Sequence, residues 1–97
     1  MTNKELQSQI ELVYNKAYEL VKELQLLRSN ADKNLDKRTS KMLDNTEKEK
    51  QNKLFLQYSI AEQKFHQIAE CQILADNICE RLHSIKEIEI DIQRGVQ

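Results

Sequence analysis

Four side chains able to bind a metal or act as nucleophiles fall in one stretch of the chain: His66, Cys71, Cys79 and His83. Cys79 and His83 are four apart, so on a helix they share one side and could supply two zinc ligands, with a symmetry-related copy supplying two more. The pattern is incomplete, because neither the Cys-x-x-Cys nor the paired-histidine spacing that closes a site within one chain is present. A thiol next to Ile78 on an apolar arc reads instead as a small hydrophobe. Glu62, His66 and Glu70 follow at four-residue intervals on one helix flank. Di-iron bundles use Glu-x-x-His from two helices, whereas the spacing here is Glu-x-x-x-His and the amino-terminal half holds no histidine. A surface pair between Glu62 and His66 is the expected outcome. With Gly95 as its single glycine, the chain cannot build a phosphate-binding loop, and it holds no nucleophile triad on a strand-turn-helix. The expectation is a protein that is not an enzyme and carries no metal or cofactor.

The elements that would position these residues are helices. The stretch from Leu54 to Ile92 has no glycine or proline and returns an apolar side chain every three or four positions: Tyr58, Ala61, Phe65, Ile68, Cys71, Ala75, Ile78, Leu82, Ile85, Ile88 and Ile92. Ile60 and Leu74 broaden the arc beyond the stripe of a two-stranded coiled coil, and successive steps of three at Ile68 to Cys71 and Ile85 to Ile88 interrupt a strict heptad. At the other end of the chain, Leu6, Ile10, Val13, Ala17, Leu20, Leu24 and Leu27 alternate steps of four and three without a miss. Thr2 and Glu5 have the form of a capping box at the start of that helix. Tyr14 and Tyr18 read as packing residues with their hydroxyls at a wet edge.

Between the two, Ser29-Asn30-Ala31-Asp32 interrupts the pattern, and Ser and Asn compete well for helix ends, so a break is expected there. From Asp32 to Lys53 the only aliphatic residues are Leu35, Met42 and Leu43, which fits a short or frayed helix over about 31–44. Thr46 with Glu49 repeats the capping-box form and starts the last helix, which Gly95 closes near Gln93 in a left-handed conformation. These boundaries, 2–28, 31–44 and 46–93, give helices of ~40 and ~70 Å on either side of the connector and leave some 30 Å of the longer one uncovered.

The 97 residues bound the answer to one small helical domain with a thin core. Fifteen basic and 16 acidic side chains are interleaved, so no strong field draws in nucleic acid or an anionic membrane. The best basic patch, Lys33, Lys37, Arg38 and Lys41, is broken up by Asp32, Asp36 and Asp44 and lacks stacking aromatics. The amino terminus has no signal-peptide core and no run approaches ~20 apolar residues. Cys71 and Cys79, ~12 Å apart along a helix, read as buried thiols in a reducing cytoplasm.

The fold expected is all-α, a long helical hairpin or three-helix coiled-coil-like bundle completed by self-association or by a protein partner. Leu20, Leu24, Leu27, Phe65, Ile68, Ile78, Leu82, Ile85 and Ile88 are its core or interface residues. The function that follows is a non-enzymatic interaction module, a structural or adaptor subunit, with a small chaperone or regulatory inhibitor that masks a client helix as the alternative.

Overall fold

The computed structural model describes residues 2–95, and for 89–91, 93 and 94 it describes the backbone alone. The chain is an all-α hairpin of two helices, α1 (Asn3–Asp44) and α2 (Lys48–Gly95), with no strand among the described residues. None of these helices is long and apolar enough to cross a membrane.

Helix α1 starts where the capping box places it. The Thr2 amide donates to Glu5 Oε2 at 3.3 Å and the Glu5 amide donates to Thr2 Oγ1 at 3.1 Å, which satisfies two amides that the first turn leaves without helical partners. The expected break at Ser29–Asp32 does not occur. Helix α1 runs through it to Asp44, so the segment about 31–44 is a continuation of the first helix and not a separate element. The physical reason lies in packing: Ser, Asn and Asp each cost a helix only about 0.7 kcal/mol or less, and Ala31, Leu35 and Met42 are half-buried on the far side of the supposed break. With 42 residues in α1 and 48 in α2, the length mismatch falls from the expected ~30 Å to about 9 Å.

The turn is three residues. Asn45 organises it, its Nδ2 donating to the Glu47 carbonyl at 2.8 Å and its Oδ1 accepting from the Glu47 amide at 3.3 Å. Helix α2 therefore begins behind an asparagine turn at Lys48, and the capping box expected of Thr46 and Glu49 is not the device used. At the other end Gly95 is still helical and has no positive φ, so it does not close the helix in a left-handed conformation.

Two compact units divide the hairpin: residues 1–23 with 73–97, and residues 24–72. Each is an antiparallel pair of helix halves. In the first unit the least exposed positions on α1 are Gln7, Ile10, Tyr14, Ala17 and Val21, and on α2 the matching row is Ala75, Cys79, Leu82 and Lys86. In the second unit the rows are Leu24, Arg28, Ala31, Leu35, Arg38 and Met42 on α1 against Leu54, Tyr58, Ala61, Phe65, Ile68 and Gln72 on α2. Every row alternates steps of three and four, the seam of an antiparallel coiled coil. Among the described side chains only Val21, Ala61 and Ala75 are buried.

Both seams admit polar side chains, each with a partner. In the first unit Gln7 Nε2 donates to the Lys86 carbonyl at 3.3 Å, and the Lys86 ammonium lies 4.9 Å from the Tyr14 ring centroid. In the second unit Arg28 donates to Gln72 Oε1 at 3.2 Å with its guanidinium 5.8 Å from the Phe65 ring centroid, and Arg38 donates to Gln57 Oε1 at 3.2 Å. Among the described side chains no buried polar atom lacks a hydrogen-bond partner.

Candidate interaction surface

A seam that contains Gln7 and Lys86 leaves aliphatic residues elsewhere on the same helices. In the first unit, Leu6, Val13 and Leu20 recur every seven residues on α1, and each is 48% exposed. They sit one flank away from the seam residues Gln7, Tyr14 and Val21. On α2 the row Leu74, Ile78, Arg81, Ile85, Ile88 and Ile92 alternates steps of four and three, and its five aliphatic members are between 43% and 62% exposed.

The two rows lie on one face of the unit. The opposite face carries an open groove lined by Tyr14, Tyr18, Asp76, Cys79 and His83, where the Tyr14 and His83 rings stand 5.8 Å apart. Tyr18 flanks the α1 seam on one side and Leu6, Val13 and Leu20 flank it on the other; His83 and Asp76 flank the α2 seam on the groove side, and Ile78 and Ile85 on the other. One face is thus polar and aromatic and the other aliphatic, two helices wide. In the second unit the face lined by Asn34, Arg38, Gln57, Ile60 and Lys64 is mostly polar.

The residues expected to form core or interface divide accordingly. Leu24, Phe65, Ile68 and Leu82 are half-buried on the seams, whereas Leu20, Leu27, Ile78, Ile85 and Ile88 are exposed at 43–55%. Sequence reasoning set Val21 and Cys79 beside the apolar stripe, and it missed Gln7, Arg28, Gln72 and Lys86 as seam positions. The signal that finds them is the strict alternation of three and four through Ile10, Ala17 and Leu24 when polar residues are admitted to the row.

Of the chemically capable side chains, Cys79 and His83 line one groove, and His66 and Cys71 are not part of it. Cys71 is exposed and Cys79 half-buried, both as free thiols, which corrects the reading of both as buried. The His83 ring lies against the Tyr14 ring tilted by 44°, and among the described residues no group of three or more His, Cys, Asp and Glu side chains stands where it could hold a metal. His66 Nε2 is 3.7 Å from Glu62 Oε1 on the surface, an ion pair when the imidazole is protonated. Glu62 also acts on Tyr58 one turn earlier, where its hydrogen bond and then its negative charge raise the phenol above its ordinary value. None of these pairs joins a nucleophile to a base and an orienting third group.

The chain matches no protein-family model, no curated protein and no solved structure.

Proposed function

We propose that the protein is a non-enzymatic helical interaction module, a structural or adaptor subunit that holds protein by packing helices onto the aliphatic face of its first unit. The observation that carries this reading is that face: two parallel rows of Leu, Val and Ile, each about half exposed, on helices whose own seam is already filled. Isolated exposed leucines are ordinary on any surface, but two rows in register on adjacent helices form a contiguous patch of the kind that marks interaction sites. A reducing, cytoplasmic setting fits its two unpaired thiols, Cys71 and Cys79.

The test places a photoactivatable cross-linking side chain at Ile78, on the aliphatic face, or at Glu80, on the groove side, in the full chain expressed in its own cells. Ile78 is expected to give a discrete protein adduct and Glu80 none. Equal labelling from the two positions would sink the reading.

A further inference from the structure

We infer that the occupant of the aliphatic face is a second copy of this chain, packed antiparallel about a two-fold axis at the level of Val13 and His83 to make a four-helix arrangement of two first units. The inference rests on the functional reading above and names the partner.

The spacing of the face carries it. An isologous interface brings the same patch together from both copies, so the patch must read the same in both directions about one level. Within the first unit, Leu6 and Leu20 lie seven residues to either side of Val13 on α1; Leu27, the next residue at that spacing, belongs to the second unit. On α2, Leu74 and Ile92 lie nine residues to either side of His83, Ile78 and Ile88 five, and Arg81 and Ile85 two. Any alternating row is symmetric about some point; what the fold adds is that both centres fall at one level. The Tyr14 ring, one residue along from Val13, meets the His83 ring at 5.8 Å. An antiparallel copy therefore sets Leu6 against Leu20 and Val13 against Val13 on α1, and Leu74 against Ile92 and Ile78 against Ile88 on α2. Only Arg81, opposite Ile85, breaks the apolar pairing.

Area and charge agree. The chain exposes 7971 Å², whereas a compact chain of its mass exposes about 5,800 Å². The surplus of about 2,000 Å² is spread over both units, and a face that covers less than half of it supplies the roughly 800 Å² that each partner contributes to an ordinary stable interface. Both signs of charge edge the face, with Lys16 and Glu23 on α1, so a copy does not meet a rim of its own sign. A face evolved for a charged partner would carry one sign.

The experiment combines solution mass over a hundredfold concentration range with directed disulfides in a chain whose Cys71 and Cys79 are replaced by Ser and Ala. A dimer is expected. On mild oxidation Val13→Cys should cross-link to itself, because only a residue at the axis brings its own copy within the roughly 7 Å between Cα atoms that a disulfide allows. Leu6→Cys alone should not cross-link, yet should do so when mixed with Leu20→Cys. Ile78→Asp should be monomeric with its helicity intact, since Ile78 is 55% exposed within its own chain. Arg81→Leu should tighten the dimer about tenfold or more by removing a desolvated charge. A parent that stays monomeric throughout, or Val13→Cys and Leu6→Cys that cross-link equally, overturns the second copy. If the Ile78 photo-adduct in cells is then a different protein, the interaction module stands and only its occupant changes; if neither experiment finds an occupant, both readings fall.

Discussion

Val13 and Val21 lie eight residues apart on α1 in the same unit, and exchanging each for threonine asks which of them faces the seam. The substitution keeps shape and branching and replaces one methyl by a hydroxyl, so cavity formation does not enter. Val21 is 8% exposed and Val13 48%. Burying a hydroxyl without full compensation costs about 1–3 kcal/mol in protein cores. A threonine at position 21 can soften this by donating back to the Ala17 carbonyl, as Thr39 does to the Leu35 carbonyl at 2.8 Å. Val21→Thr should therefore lose about 1–2 kcal/mol. For a chain of this size that is a fall of about 4–16 °C in Tm. The hydroxyl of Val13→Thr stays hydrated in a single chain and should cost about 0.5 kcal/mol or less. Urea and thermal melts followed by circular dichroism at the lowest workable protein concentration read the difference with least contribution from self-association. The heptad drawn from apolar residues alone gives the opposite order, with Val13 in the core. A Val13→Thr loss equal to or larger than that of Val21→Thr would refute the seam described here.

Asn30→Pro should destabilise the hairpin by about 3 kcal/mol or more if α1 is continuous through Ser29–Asp32; a near-neutral urea midpoint would restore the break. Replacing Arg28 and Gln72 together by Leu removes both partners of a seam hydrogen bond at once, so the double variant should be as stable as the parent or more stable by about 1–3 kcal/mol, while Gln72→Leu alone should be less stable than the double. Thr2→Ala should cost about 1 kcal/mol or less and speed amide exchange in the first turn of α1 alone. Asn45→Ala removes both side-chain bonds that organise the turn and should cost about 1 kcal/mol, read as a shifted midpoint with unchanged slope in urea.

The all-α hairpin was legible because its evidence is redundant: long periodic runs, no proline, and a capping box at Thr2 that needs no tertiary context. The register was not legible, for a reason specific to this chain. Its apolar residues populate two adjacent heptad rows on each helix, and the intrachain seam holds Gln7, Arg28, Gln72 and Lys86. Choosing the most hydrophobic candidate at each step therefore moves from one row to the other. The apparent irregularity at Ile68 to Cys71 is such a crossing, and the one at Ile85 to Ile88 follows the crossing from Leu82 to Ile85. Long side chains enter a seam when their stems cover apolar surface and their ends find partners, as Lys86 does on Tyr14. Ser29 to Asp32 misled for a related reason, since weak local preference yields to the packing of Ala31 and Leu35 beyond it.

The three-residue turn near the middle of the chain has a consequence for how the protein is made. Partners on the seams are 19 residues apart at Arg38 and Gln57, 44 at Arg28 and Gln72, and 79 at Gln7 and Lys86. Loop closure favours the shortest of these, so pairing starts beside the turn and advances as a zipper. At synthesis rates of roughly 5–20 residues per second, Gln7 waits about 4–16 s on the ribosome before Lys86 exists. During that interval the first half of α1 has neither its seam partner nor cover for Leu6, Val13 and Leu20, and two nascent chains on one message carry the same uncovered helix at the same time. The proposed pairing of two copies is thus open to nascent chains before it is open to finished hairpins.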